Sequence, residues 1–301
     1  MSTLPVIAAV DGSDDSLRAL EWAVTEAGRR GTTLRVVHVR QYAAPTQPDV
    51  LVAGPPEPAE DPVLLQVRAV LADREDPPPV EYLHMEGAPA AVIPELGEGA
   101  QLLVLGSRGR GGFASLLLGS NGMAAARDAT CPVVIVPRPG REVHGETHLE
   151  PGPRVVVGVS ADAPDGNTLA FAFDAADRRG ARVDVVSAFP WPEYLWAAAG
   201  GFTPSVADQE AAQKETVDRI KDIVAPHREA HPDVRVAVIA APGDAAGHIV
   251  GASKGAELVV VGRHRRRVLH PAPMLGSVTH AVLLHAPSPV AVVPPEEPAE
   301  S

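Results

Sequence analysis

The chain contains the same pattern twice. Val6-Ile7-Ala8-Ala9-Val10 is followed by Asp11-Gly12-Ser13, and Val155-Val156-Val157-Gly158-Val159 by Ser160-Ala161-Asp162. Arg29-Arg30-Gly31 returns 149 residues later as Arg178-Arg179-Gly180, and Val36-Val37-His38-Val39 returns at the same offset as Val185-Val186-Ser187-Ala188. Leu103-Val104-Leu105-Gly106 matches Val259-Val260-Val261-Gly262 at an offset of 156. Cys131-Pro132-Val133-Val134-Ile135-Val136-Pro137 matches Ser288-Pro289-Val290-Ala291-Val292-Val293-Pro294 at 157. Five collinear matches with a slowly drifting offset are a tandem duplication. Whatever fold this is must close within about 150 residues, a normal domain length, and do so twice.

Within each copy, short continuously aliphatic runs alternate with helical patterns. Leu17, Leu20, Ala23, Val24 and Ala27 have amphipathic-helix spacing, with Ser13 or Asp14 as N-cap and Gly31 as the stop. Strands are expected near 6–10, 34–39, 80–84, 102–106 and 132–136, with helices near 14–30, 61–73, 88–97 and 120–129. In the second copy strands are expected near 154–159, 182–188, 234–240, 258–262 and 290–293. Strands apolar on both faces imply a parallel sheet covered by helices on both sides. The expected fold is therefore α/β, two tandem doubly wound (Rossmann-like) domains, each with a five-stranded parallel sheet. Its ligand crevice lies at the carboxyl ends of the strands. Domains are expected over 1–140 and 154–301, joined by a linker at 141–153 that contains Pro151, Gly152 and Pro153.

Composition removes several classes of function. The chain has 31 prolines in 301 residues and only 4% aromatics, but no Gly-X-Y period, so it is not collagen-like. Net charge is -12, with 12 Lys/Arg against 20 Asp/Glu in residues 1–150 and 14 against 18 thereafter. Neither half suits a nucleic-acid backbone, so any anion must be held locally by backbone dipoles or a few arginines. Cys131 is the only cysteine, which excludes a disulfide framework and a cysteine-based metal site. With no apolar run of 18 residues and no secretory leader pattern at Met1–Val10, a soluble cytoplasmic protein is expected, without a membrane partner.

The candidate site is a glycine loop after the fourth strand, Gly106-Ser107-Arg108-Gly109-Arg110-Gly111-Gly112, with Gly119-Ser120 opening a helix beyond it. Glycines let successive N–H groups converge on one anion, and the helix start adds further donors and a positive dipole end. Taken alone, such a stretch is equally a plain surface loop. Its place after an aliphatic strand, with Gly119-Ser120 near, favours a phosphate. A Walker A loop requires Gly-Lys, but the only lysines are Lys214, Lys221 and Lys254. A dinucleotide fingerprint would follow the first strand, not the fourth.

Gly106-x2-Gly109-x9-Gly119-Ser120 resembles the nucleotide-binding pattern of the universal stress protein family, as do Asp11-Gly12-Ser13, Glu86-Gly87-Ala88-Pro89 and Cys131-Pro132-Val133-Val134. The resemblance covers nearly the whole chain as a tandem member. It implies a fold like that of the adenine nucleotide α-hydrolases and a role as an ATP-binding stress regulator or sensor. It places Ala9 and Asp11 beside the adenosine and Val39 at the adenine edge. Gly106, Ser107, Arg108, Gly109, Arg110, Gly111 and Gly112 would wrap ribose and phosphates, with Gly119, Ser120 and Asn121 holding the terminal phosphates. Mg2+ would arrive on the phosphates rather than in a protein cage. Two other classes stay open, an ATP-dependent enzyme (slow ATPase or transferase) and a nucleotide-free adaptor. No residue presents itself as a catalytic base.

The second copy departs at the same places. Ser160 replaces Asp11, Arg265 replaces Gly109, and the gap to Gly276-Ser277 grows by one. Weaker nucleotide binding, or none, is expected there. The aliphatic last strands are expected to pack between copies as a pseudo-dimer, and homodimerisation is a further expectation. Five aromatics fall between Phe189 and Phe202, read as a cap over their own domain, with a partner-contact patch or lid as the alternative. The pairs His227/His231 and His144/His148 have helical spacing but no completing ligand set, so metal binding is not expected. Asp14 and Asp15 read as charges favoured by a helix start.

Overall fold

The computed structural model describes residues 4–41, 60–109, 117–141, 150–190, 205–263 and 274–295. The chain divides into two compact units, Met1–Arg138 and Pro139–Ser301.

In the first unit, β1 (Val6–Ala9) leads to α1 (Asp14–Arg30), β2 (Leu34–Arg40), α2 (Pro62–Ala72), β3 (Val80–Glu86), α3 (Pro89–Glu95), β4 (Leu102–Gly106), α4 (Ser120–Asp128) and β5 (Val133–Val136). Ser13 caps α1, accepting from the N–H of Ser16, and Leu20, Ala23 and Ala27 on the inner face of α1 are fully buried. Asp61 caps α2 ahead of Pro62, a residue suited to the first helical turn. The helix expected at 88–97 is shorter and changes character after Pro94, where a 3-10 turn follows over Leu96–Gly99. Proline lacks an N–H, so one rung of the ladder is missing at Pro94, and after Glu95 the chain tightens into the 3-10 turn.

Strands pair in parallel in the order β3-β2-β1-β4-β5. Val6, Val36, Leu102, Leu103 and Val104 have no exposed surface, as expected of strands covered on both faces.

The second unit repeats the plan with β6 (Arg154–Gly158), α5 (Gly166–Asp177), β7 (Arg182–Phe189), α6 (Val206–Ala230), β8 (Val236–Pro242), α7 (Ala245–Ser253), β9 (Leu258–Gly262), α8 (Ser277–His285) and β10 (Val290–Val293). Its parallel order is β8-β7-β6-β9-β10, the same winding. α6 runs through Pro226; its last turn carries His227, with His231 at the C-cap. Arg141, within the expected linker, donates to the carbonyls of Leu283 and Ala286 at 3.0 and 2.9 Å, so this point of the chain is fastened to the end of α8. Among the described residues no helix is long and apolar enough to cross a membrane.

Candidate functional site

In the order β3-β2-β1-β4-β5 the winding reverses beside β1, and the crevice opens at the carboxyl ends of β1 and β4. Most of the residues marked from sequence stand there. Ala9 ends β1. Gly12, at φ 77°, lets the chain turn sharply from β1 into α1. The Asp11 carboxylate accepts from the N–H and hydroxyl of Ser13 at 3.0 and 2.6 Å, which fixes its rotamer. It also lies against Gly109, where a Cβ would come within 2.5 Å of Asp11 Oδ2. The end of β1 and the glycine loop after β4 are therefore in contact, and only a residue without a side chain fits that approach unchanged.

Val39 is buried near the end of β2. Val37 faces β1 in the ladder, since its carbonyl accepts from Val10, and Arg40 faces β3, since its carbonyl accepts from Gly87. Backbone polar groups alternate sides along a strand, so Val39 turns its N–H and C=O toward the side where β1 has already ended at Ala9. Those groups therefore face the crevice side rather than a neighbouring strand.

Gly119 is the N-cap of α4 and supplies no side-chain hydrogen bond to the first turn, unlike Ser13 at α1 and Asp61 at α2. The N–H groups that open a helix have no intrahelical acceptor, and with the helix dipole they favour an anion. Ser120 is exposed and Asn121 half-buried at that end. Arg108 is half-buried beside it. Arg110, Gly111 and Gly112 lie outside the described residues.

Two marked residues have structural duties. Gly106 packs directly against the start of α1, for a Cβ there would fall 2.5 Å from the carbonyl oxygen of Asp15 and 2.9 Å from the nitrogen of Ser16. Ser107 is buried, its N–H donates to Val136, and its hydroxyl donates to Asp15 at 3.1 Å. Both of its donors are thus committed inside the protein. Asp15 is no simple helix-start charge, unlike exposed Asp14. It is buried and accepts from Ser107, from Arg138 at 3.0 Å and from Arg18. Burial opposes its ionisation, but the hydrogen bonds from Arg138 and Arg18 outweigh burial and hold its pKa below the ordinary aspartate value.

In the second unit Ser160 stands after β6 and its hydroxyl accepts from Ala163 at 3.3 Å. A Cβ on Gly262 would meet the Thr168 hydroxyl at 2.8 Å, repeating the close approach of Gly106. Gly276 caps α8 without a side-chain bond, as Gly119 does α4. Arg265 and the rest of residues 264–273 lie outside the described residues, as do most of the expected aromatic cap and the pair His144/His148. His227 and His231 pack against Phe173, at ring separations of 5.5 and 6.0 Å. Burial, with a smaller contribution from neighbouring His231, pushes the His227 imidazole below its usual pKa.

Sequence reasoning missed one constellation. His38 on β2 and His84 on β3 are register partners, and Asp61 at the cap of α2 meets both. Each imidazole Nδ1 lies at hydrogen-bond distance from Asp61 Oδ2, at 2.6 and 2.7 Å. Burial works against the Asp61 charge, but the two histidines and the backbone N–H of Val63 overcome it and bring its pKa down to about 2. The only available signal was that β2 and β3 each place a histidine near mid-strand.

The described geometry is that of a doubly wound α/β domain with a crevice at its switch point. The chain belongs to the universal stress protein family, whose model matches residues 4–137 and 153–294. Two universal stress proteins of Mycobacterium tuberculosis are similar over nearly their whole length. One is 33% identical over 304 residues, covering 95% of this chain and 96% of the relative. The other is 31% identical over 310 residues, covering 97% and 96%. A universal stress protein of Archaeoglobus fulgidus has the same fold, with a TM-score of 0.62 at 17% identity, covering 98% of this chain and 99% of that one.

Proposed function

We propose that this tandem universal stress protein binds ATP in the crevice of its first unit and acts as a nucleotide-dependent regulator. The observation that carries the reading is the meeting of Asp11 with Gly109, beside a helix start left without a side-chain cap at Gly119. Three kinds of ligand group find a match there. The backbone of Val39 suits the adenine edge, Ala9 and Asp11 flank the nucleoside, and Gly109, Ser120 and Asn121 offer N–H groups to phosphates. Gly119, its own N–H held by the Ser107 carbonyl at 2.8 Å, keeps the helix start free of a side chain. Arg108 adds positive charge. Arg110, Gly111 and Gly112 complete the proposed loop, and any Mg2+ would be held through the phosphates. Ser107 serves the site indirectly, by fastening the loop to Asp15.

The second unit lacks the carboxylate and the second glycine of this arrangement, so one nucleotide per chain is expected. ATP binding would act by stabilising one arrangement of the loops that face partners, with affinity for that arrangement setting the size of the shift. Pairing of the aliphatic last strands, between copies or between chains, is the proposed assembly mode.

Native mass spectrometry of the full chain with ATP is the test. A single bound nucleotide, lost in Asp11→Ala, supports the reading. Two nucleotides bound with equal affinity overturn the asymmetry, and none bound overturns the nucleotide assignment itself.

A further inference from the structure

His38, Asp61 and His84 are drawn from three separate elements and present one ligand atom each within 4.8 Å of one another. We propose that they form a divalent metal site, with Zn2+ as the best-matched ion, held by the two Nδ1 atoms and Asp61 Oδ2. Two imidazoles and one carboxylate are the donor set that borderline transition metals prefer, and three protein ligands leave a position open.

Distances bear on whether an ion fits. Tetrahedral Zn2+ with bonds of about 2.05 Å sets its ligands about 3.3 Å apart. The observed 2.6 and 2.7 Å are hydrogen-bond lengths, so loading exchanges the bridging protons for the ion and opens each separation by about 0.6 Å. Asp61 can yield that distance while staying anchored, because its other oxygen keeps the N–H groups of Val63 and Leu64 at 2.9 and 3.3 Å. The two histidines sit opposite each other on paired strands, so their spacing is set by the sheet.

A second observation points the same way. His84 Nε2 is buried and has no hydrogen-bond partner, although Glu86 Oε1 stands 3.9 Å from it. In a hydrogen-bonded clamp the neutral His84 proton sits on Nδ1, facing Asp61, which leaves a bare lone pair turned toward a carboxylate. With a metal on Nδ1 the proton moves to Nε2 and faces Glu86. That is the arrangement of a metal-bound histidine oriented by an outer carboxylate. A cavity of about 350 Å3 adjoins the cluster, lined by Glu60, Asp61 and Glu86 against Arg40 and Arg68, as well as by His84. Carboxylates outnumber guanidiniums there, which favours a cation, and the cavity gives the ion an approach.

The test is calorimetric titration of the chelator-treated full chain with Zn2+ alone. Saturable binding of one ion is expected, weakened roughly tenfold or more in both His84→Gln and Asp61→Asn. Asn is as good a helix cap as Asp, so Asp61→Asn removes the ligand charge and keeps α2 capped. His227→Gln/His231→Gln should bind as the unmodified chain does. Absence of saturable binding overturns the proposal, and so does loss of binding in the His227/His231 variant with retention in the other two. Should His84→Gln fail to fold, X-ray absorption of the zinc-loaded His227→Gln/His231→Gln chain decides. Two imidazole nitrogens and a light oxygen ligand at about 2.0–2.2 Å uphold the site, and fewer than two imidazoles overturn it.

Discussion

The glycines of one loop pattern should respond to substitution in opposite ways. At Gly106 an added Cβ would stand 2.5 Å from the carbonyl oxygen of Asp15, 2.6 Å from its carbon and 2.9 Å from the nitrogen of Ser16. All three are backbone atoms, so no side chain can rotate away, and the shortest contact is about 0.9 Å inside ordinary van der Waals distance. Gly106→Ala must push β4 off the start of α1, an overpacking strain of about 3 kcal/mol. For a unit of this size that lowers Tm by roughly 10 °C. At Gly119 the nearest atoms to an added Cβ are 3.7 Å away, and φ -81°, ψ 160° is ordinary N-cap backbone. Gly119→Ser therefore fits, and its hydroxyl caps α4, leaving stability unchanged or raised by a few tenths of a kcal/mol. The same hydroxyl occupies the N–H groups proposed for phosphate, so ATP affinity should fall about tenfold. Urea unfolding followed by circular dichroism reads the first effect and calorimetry with ATP the second. If Gly106→Ala is as stable as the unmodified chain while Gly119→Ser unfolds early, the division of these glycines into packing and ligand roles is wrong.

The remaining expectations concern buried charge. Asp15 is held below its ordinary pKa of 3.8, so its contacts contribute stability above that unfolded value, and the contribution is lost as pH falls through the lower folded one. The stability gap between the unmodified chain and Asp15→Asn should be full at neutral pH and close below about pH 4. A gap that widens on acidification would contradict the sign. On β7, Arg182 is bound by both oxygens of buried Asp184, at 2.7 and 3.1 Å. Asp184→Ala removes the buried carboxylate and leaves the guanidinium the carbonyls of Glu150 and Pro151, at 2.7 and 3.4 Å, and the exposed Glu150 carboxylate at 3.9 Å. It should cost about 3 kcal/mol in denaturant unfolding, with part recovered in Arg182→Met/Asp184→Leu. Equal loss in the single and double variants would show that packing, not the guanidinium charge, sets the cost.

Much of the architecture was legible because it is local and periodic. The strands expected at 102–106, 258–262 and 290–293 are those observed, since a short aliphatic run bounded by glycine or proline has few other uses. β3 runs two residues past the expected span because pairing with β2 extends to Arg40 and Glu86, a contact the strand's own sequence does not contain. α6 passes through Pro226 although proline locally argues for a boundary. Such a residue costs one ladder bond, and packing of buried Thr216, Ile220 and Val224 on that helix works against that local signal.

What the amino-acid sequence determined alone was the duplication, the winding of each copy and the position of the glycine loop after the fourth strand. These follow from repeats and periods, which are properties of neighbours in the chain. Tertiary structure decided the duties of particular side chains. It turned the Ser107 hydroxyl inward to Asp15, 92 residues away, and set Gly109 against Asp11. It also brought His38 and His84 to Asp61 across 23 residues in each direction. Strand register and helix placement bring such groups together, and both are fixed by burial across the whole sheet rather than by any stretch of sequence.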